Sequence, residues 1–79
     1  MRMKTPKAVV TFASTTDALS FEAASREFAF PGRIIPGPTE ISAGCGLAWC
    51  AEPEDRDALL EAIASHALAH EGVFDVELY

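Results

Sequence analysis

The chain has 79 residues and a formal net charge of −6, which leaves room for one small domain and excludes a second hydrophobic core. Hydrophobic residues make up 49% and charged residues 23%, a balance that favours a folded globule over a disordered chain. Only 6 Lys and Arg side chains are present to neutralise phosphate groups, so nucleic acid and anionic membrane surfaces are not expected partners.

The first residues of the sequence do not indicate secretion. No apolar run reaches the roughly 20 residues that span a bilayer, and residues 1–7 are not followed by a hydrophobic signal region. We therefore expect a cytoplasmic protein with a flexible N-terminal tail over residues 1–7 and a single domain over residues 8–79. Two cysteines are too few for a disulfide scaffold, so each thiol is either buried packing or a reactive group.

The first predicted elements are a strand and a helix. Residues 8–13 form a β-branched and aromatic run. Ser14 is followed three residues later by an acid, which is a helix-start pattern, and Thr15 and Thr16 are the expected caps. The helix over residues 17–28 carries an inner stripe at three- and four-residue spacing, formed by Ala18, Phe21, Ser25 and Phe28.

A short strand and a long loop follow. Pro31 and Gly32 end the helix, and residues 33–36 predict a strand at a sheet edge, because its prolines cannot donate to a ladder. Residues 37–45 form a long connection for so small a domain. A long loop is a candidate for function.

The second half predicts strand, helix and strand. In residues 46–51, alternation places Leu47 and Trp49 on one face and Ala48 and Cys50 on the other. Acids and a proline at residues 52–55 open a helix that Gly72 ends. Its inner stripe consists of Leu59, Ile63 and Ala67. In the last strand, Phe74, Val76 and Leu78 point one way and Asp75 and Glu77 the other.

The order β-α-β-β-α-β predicts an α+β fold. Its simplest closure is a ferredoxin-like sandwich, a four-stranded antiparallel sheet with both helices on one face and the first and third strands in the centre. We expect the opposite face to be open to solvent or to a weak partner contact, and to carry Thr11, Cys50, Asp75 and Glu77.

The loop before the third strand contains the candidate site. Cys45 lies between Gly44 and Gly46, which remove steric cover and let backbone N–H groups converge on an anion. A thiolate held in this way can accept sulfur as a persulfide, accept selenium, or form a mixed disulfide. The alternative is that the glycines serve a tight turn and the thiol fills a gap.

The sequence also resembles the selenium/sulfur carrier protein-like family over nearly its whole length. The stretches that carry the resemblance are Val10–Phe12, Ser14–Leu19, Pro31–Pro36, Glu40–Ser42, Cys45–Ala48 and Glu52–Asp55. The resemblance implies a small domain in which a cysteine before a glycine is the carrier atom, and this pair matches Cys45 and Gly46. The chain differs from the family pattern at Thr39, where a basic residue is usual, so Arg33 is the nearest remaining cation.

A second thiol, Cys50, follows five residues after Cys45. In one straight strand the two Cα atoms would lie roughly 16 Å apart, beyond the roughly 4.4 to 6.8 Å of a disulfide. A bridge would require a bend at residues 44–46. The simpler interpretation of Cys50 is a small residue on the open sheet face.

The two histidines suggest a metal site only weakly. His66 and His70 lie four residues apart at the end of the second predicted helix and would share a face. Two ligands do not make a site, and histidines are favoured at a helix C-terminus by the dipole. We therefore predict no metal and no cofactor, and we interpret the acids of this helix as helix-start and surface charges.

The leading functional hypothesis is a thiol carrier or relay rather than a stand-alone enzyme. Cys45 would accept sulfur or selenium, and Arg33, Ser42, Gly44 and Gly46 would hold the anion. A protein donor and a protein acceptor are then needed. The acidic surface of this chain would suit a donor or acceptor with a basic surface. The alternative is a non-catalytic binding module or homodimer with structural cysteines that uses its sheet face and edges. A third hypothesis is a redox switch between Cys45 and Cys50.

Overall fold

The computed structural model describes residues 5–37 and 46–78. It is an α+β fold with one four-stranded antiparallel sheet and two helices. The elements in chain order are β1 (Thr5–Thr11), α1 (Thr15–Phe28), β2 (Arg33–Pro36), β3 (Leu47–Ala51), a single 3-10 turn (Pro53–Asp55), α2 (Arg56–His66) and β4 (Gly72–Leu78). Among the described helices, none is long and apolar enough to cross a membrane.

The strands lie in the order β2-β3-β1-β4, with every neighbouring pair antiparallel. As predicted, β1 and β3 are central and the proline-bounded β2 lies at an edge. β1 begins at Thr5, three residues before the predicted start, because its first residues pair with the end of β4. Residues 1–4 of the predicted tail lie outside the described part of the chain.

One face of the sheet packs against residues from both helices. Val10 pairs with Trp49 across β1 and β3, and both are buried. Phe21 of α1 contacts Phe12 and Trp49, with ring centroids 5.1 and 5.3 Å apart. Leu59 and Ile63 of α2 belong to the same buried cluster. Trp49 is therefore a core residue, as its place in the alternation predicted.

The centre of the opposite face is also apolar and buried, which the sequence did not predict. Val9, Ala48 and Val76 form its cluster, and Thr11 and Cys50 are buried on the same face. The expectation that Thr11 and Cys50 are open to solvent is therefore wrong, whereas Phe74, which stands opposite Val9 on this face, is 43% exposed. Among the residues that the structure describes, this second cluster contains none from a helix.

The orientation of β4 also differs from the expectation. β4 pairs with β1 so that Phe74 stands opposite Val9 and Asp75 opposite Ala8. Facing residues of an antiparallel pair share a face. Asp75 and Glu77 therefore lie on the helix side, not on the opposite face as predicted. The register places Val76 and Leu78 of β4 in or against the second cluster. On the helix side, Asp75 accepts a hydrogen bond from Nε of Arg56 in α2 at 2.9 Å.

The helix ends contradict three expectations, which concern the cap of α1, the end of α2 and the place of Ala67 in its inner stripe. Ser14, not Thr15 or Thr16, caps α1, because its Oγ accepts a hydrogen bond from the Asp17 N–H at 3.2 Å. Both helices end at an alanine in the left-handed region, Ala29 with φ 56° and Ala67 with φ 50°. Consequently α2 ends at His66, well before Gly72, and Ala67 is not part of the inner stripe.

Gly32 fixes the entry into β2. Its φ of 122° lies in the region that favours glycine, and a Cβ there would overlap the Trp49 indole and approach the Cys50 carbonyl oxygen to 2.8 Å. This close approach lets Trp49 Nε1 donate a hydrogen bond to the Pro31 carbonyl at 3.0 Å. The link between core and edge strand therefore depends on a residue without a side chain.

Candidate functional site

The structure describes three of the predicted site residues, Arg33, Gly46 and Cys50. The other predicted site residues, Ser42, Gly44 and Cys45, lie outside the described part of the chain. Because Cys45 is outside the described residues, a bridge between Cys45 and Cys50 also lies outside them. The geometry of the site therefore starts from the two ends of the connection between β2 and β3.

A backbone hydrogen bond joins the two ends of this connection. The Gly37 N–H donates to the Gly46 carbonyl at 2.9 Å, immediately beyond the Pro36 and Leu47 pair. Gly46 has a φ of 78° and is exposed, and a Cβ at this position would lie within 4 Å of no atom in the described part of the chain. The residue that follows Cys45 in sequence is thus a glycine that needs positive φ and has open space around it.

Cys50 occupies a very different environment, on the face of the sheet opposite the helices. It is 2% exposed, and its thiol is free of any disulfide within the described chain. Burial raises the pKa of Cys50 above its ordinary value of 9.0, because desolvation disfavours the thiolate. The charges of Arg33 and Lys7 oppose this effect, and Glu52 adds to it. A buried thiol with a raised pKa is a poor nucleophile.

The structure brings Arg33 next to Cys50 rather than next to Gly46. Arg33 is the first residue of β2 and pairs with Cys50 across the two strands. Gly37 lies four residues further on, which is about 13 Å at 3.3 Å per residue. Arg33 is exposed and makes no ion pair with another described residue. The charge of its guanidinium therefore acts on Cys50, whose pKa it lowers against the larger effect of burial.

An ion pair closes this end of the sheet. Lys7 Nζ lies 2.5 and 2.7 Å from the two carboxylate oxygens of Glu52. The Lys7 side chain is only 14% exposed. Sequence reasoning assigned Lys7 to the flexible tail and missed this contact. A lysine that begins an apolar run was the available signal, because its stem can lie along the sheet while the ammonium reaches an acid.

A family model described as "Putative Se/S carrier protein-like" matches residues 7–75 of the chain. The chain belongs to this family. The match confirms the resemblance seen in the sequence, and it includes every predicted site residue, from Arg33 through Cys45 to Cys50. No match was found among curated proteins or among solved structures.

In this carrier-like chain, the two histidines do not share a helix face. His66 lies in the last turn of α2, while His70 follows the helix and has its Nδ1 3.0 Å from the Leu68 carbonyl oxygen. The expectation of a shared face is wrong because α2 ends before His70. Within residues 5–37 and 46–78, no group of three or more His, Cys, Asp or Glu residues is arranged to hold a metal ion.

A groove between the two helices is a feature that sequence reasoning missed. Its volume is about 250 Å³, and its wall includes Phe28 and Pro31 from α1 and the following turn, and Glu61 and His66 from α2. Phe28 was predicted to lie in the buried stripe of α1, but it is 43% exposed. No pattern in the sequence indicated this exposure, because a phenylalanine at helical spacing is typical of a core position.

Proposed function

We propose that this protein carries sulfur or selenium on the Cys45 thiol and passes it from a donor to an acceptor. The observation that carries the proposal is the family match, which spans residues 7–75 and so includes Cys45. In sequence, Cys45 stands between Gly44 and Gly46. The exposure of Gly46 and the open space around it support a thiol that has to meet a second protein.

The transfer requires only thiol–disulfide chemistry. The Cys45 thiolate attacks the terminal sulfur of a persulfide on the donor, a new S–S bond forms at Cys45, and the donor S–S bond breaks. The donor leaves as a thiolate, and its former terminal sulfur becomes the outer sulfur of the Cys45 persulfide. One S–S bond replaces another, so no external oxidant or reductant is consumed. The same exchange in reverse loads the acceptor.

Cys50 is not the carrier atom in this proposal. Its burial and raised pKa keep it as a neutral thiol at neutral pH. A sulfur bound to a residue that is 2% exposed would not reach a donor without opening of the sheet face. The two cysteines therefore have separate roles, with Cys45 reactive and Cys50 structural, and a redox switch between them is not part of the proposal.

The anion on Cys45 is held in this proposal by backbone N–H groups of the glycine-rich segment, with Ser42 as a side-chain donor. Arg33 is the residue whose role needs a separate test, since it stands opposite Cys50. If Arg33 stabilises the persulfide, Arg33→Gln slows loading of Cys45. An unchanged loading rate would assign Arg33 to Cys50 alone.

The partners in this proposal are proteins, a persulfide donor and an acceptor. The net charge of −6 suits a basic docking surface on at least one of them. We infer a reducing compartment, the cytoplasm, because an exposed carrier thiol has to stay reduced between transfers. We further infer that the fold is the ferredoxin-like sandwich, supported by the β-α-β-β-α-β order with β1 and β3 central.

The proposal is tested by loading the reduced protein with glutathione persulfide and weighing the intact chain. The wild type and Cys50→Ser are expected to gain one sulfur atom, and the adduct is expected to disappear with dithiothreitol. Cys45→Ser is the matched variant and is expected to gain none.

Equal loading of Cys45→Ser and the wild type would overturn the proposal. So would a Cys45 that stays unloaded in the folded protein and reacts only after unfolding. In that second case, light scattering decides whether the rival hypothesis of a homodimeric binding module takes its place. A stable dimer with an inert Cys45 would support the rival.

A further inference from the structure

Two stacked rings form part of the wall of the groove between α1 and α2. Phe28 and His66 stack with ring centroids 3.7 Å apart and planes 6° apart. Phe28 is nevertheless 43% exposed, so one aromatic face stays available while the stack fixes its orientation. A preorganised aromatic surface loses little side-chain entropy when a ligand binds.

The floor of the groove is continuous with the core. Phe30 lines the groove and also contacts Phe21 and Trp49, with ring centroids 5.3 and 5.9 Å apart. On the side of α2, Ala58 and Ala62 line it with small side chains four residues apart. Small residues opposite fixed aromatic rings leave a slot that an inserted side chain can fill.

The size of the groove favours a side chain over a free metabolite. Its volume of about 250 Å³ lies below the roughly 300–1,000 Å³ typical of small-molecule pockets, and it is open to solvent. One large apolar side chain from another protein fits such a depression. A side chain of this kind inserted in a pocket is the usual form of a binding hot spot.

The charges at the groove favour a cationic partner. Glu61 lines the groove, and Asp57 lies one turn before it on α2. Both are exposed, and neither forms an ion pair with another described residue. Of the described cations, Lys7, Arg26 and Arg56 are paired with other acids, and Arg33 stands opposite Cys50 on the other face of the sheet. Two carboxylates beside an apolar slot are thus free to meet Lys or Arg side chains.

We propose that this groove docks a segment of a partner protein in which a large apolar side chain is flanked by Lys or Arg. The apolar side chain lies against Phe28 and Phe30, and the flanking cations lie near Asp57 and Glu61. The net charge of −6 raises the rate of encounter with such a segment. This docking does not depend on sulfur chemistry at Cys45, so the groove is a second functional surface.

The probe for the test is the peptide Lys-Lys-Phe-Leu-Lys-Lys, titrated into the full reduced chain and followed by amide NMR shifts. The shifts are expected to concentrate on the residues that line the groove. The control peptides Glu-Glu-Phe-Leu-Glu-Glu and Lys-Lys-Ser-Ser-Lys-Lys, which lack the cations or the apolar pair, are expected to bind at least about tenfold more weakly.

Variants of the chain assign the contact to the groove. Phe28→Ser is expected to raise Kd about tenfold, whereas Leu19→Ser, at a 54% exposed site on the same helix, is expected to change it less than about twofold. Glu61→Gln is expected to raise Kd about threefold, and Glu77→Gln, on β4, to leave it unchanged. Ala58→Trp fills the slot from an exposed helix position and is expected to block binding with the fold intact.

Three results would overturn the docking proposal. They are the absence of saturable binding of the cationic apolar peptide, shifts that lie away from the groove, and equal losses in Phe28→Ser and Leu19→Ser. A dimer that Phe28→Ser abolishes would identify a second copy of the chain as the occupant instead. Cys45→Ser is expected to bind the peptide as the wild type does, so failure of docking and failure of sulfur transfer are distinguishable.

Discussion

The helix-covered face of the sheet packs large rings against each other, whereas the opposite face buries small side chains and a thiol. On the first face, Trp49 and Phe21 meet other aromatic rings at tilted angles. On the second, Val9, Ala48 and Cys50 are just as buried but contribute much less volume. Equal burial therefore does not mean an equal contribution to stability.

The two faces also differ in how exposed their ion pairs are. On the second face, Lys7 and Glu52 form a partly buried ion pair close enough to influence Cys50. On the first face, Arg56 and Asp75 pair at the surface, with side chains 38% and 68% exposed. We therefore expect most of the free energy of folding to come from burial on the helix-covered face. The second face instead combines a thiol with charges that change its titration.

The largest difference between the faces is expected from truncation of their buried residues. Trp49→Ala removes a ring and the hydrogen bond to Pro31, and is expected to cost about 4 kcal/mol of the free energy of unfolding. The matched change on the other face, Cys50→Ala, is expected to cost about 1 kcal/mol. Urea unfolding of the two variants measures both values. Similar losses would contradict the assignment of stability to the helix-covered face.

An intermediate effect is expected from pH, and only on the face that holds the thiol. Because the pKa of Cys50 is raised by burial in the folded chain, the native state holds this proton more tightly than the unfolded state. The stabilisation is complete below the ordinary pKa of 9.0 and is lost as pH rises from there toward the folded-state value.

The measurement is the midpoint of urea unfolding between neutral and strongly alkaline pH. The wild type is expected to lose more stability than Cys50→Ala above the ordinary thiol pKa, and Cys45→Ser, which keeps Cys50, to follow the wild type. Parallel curves for the wild type and Cys50→Ala would show that the thiol on this face is not desolvated.

The smallest effect is expected from the two ion pairs. A double-mutant cycle on Lys7 and Glu52 is expected to give a coupling of about 0.5–1 kcal/mol, because Lys7 is largely shielded from water. The more exposed pair of Arg56 and Asp75 is expected to give about 0–0.5 kcal/mol. Added salt is expected to reduce the second coupling more than the first. A larger coupling for Arg56 and Asp75 than for Lys7 and Glu52 would contradict the expected electrostatic difference between the faces.

Local patterns predicted much of this fold. The edge strand β2 has the predicted bounds, since two prolines restrict where it can pair. The alternation in β3 correctly separated Trp49 from Cys50. In β4, the same kind of pattern showed which residues share a face but not which face it is. The register with β1 decides that, and Phe74 opposite Val9 is a contact between distant parts of the chain.

The helix ends were hard to predict because the residues that end them are ordinary. Alanine is a strong helix former, so nothing in the sequence marks Ala29 or Ala67 as left-handed. Because the predicted helix continued past Ala67, His70 was wrongly placed on it beside His66. The stacking of His66 on Phe28 was therefore not predicted. At the candidate site, glycines around Cys45 predicted a reactive segment, but the place of Arg33 opposite Cys50 depends on strand pairing.

The indole of Trp49 also gives the protein an internal optical probe. It is the single tryptophan of the chain, it is 2% exposed, and it precedes Cys50 directly. Its ring contacts Phe30, which lines the groove, and its N–H is bound to the Pro31 carbonyl. Emission from this one residue is therefore expected to be blue-shifted in the folded chain. A change in its wavelength or lifetime would report, without any label, events in the helix groove.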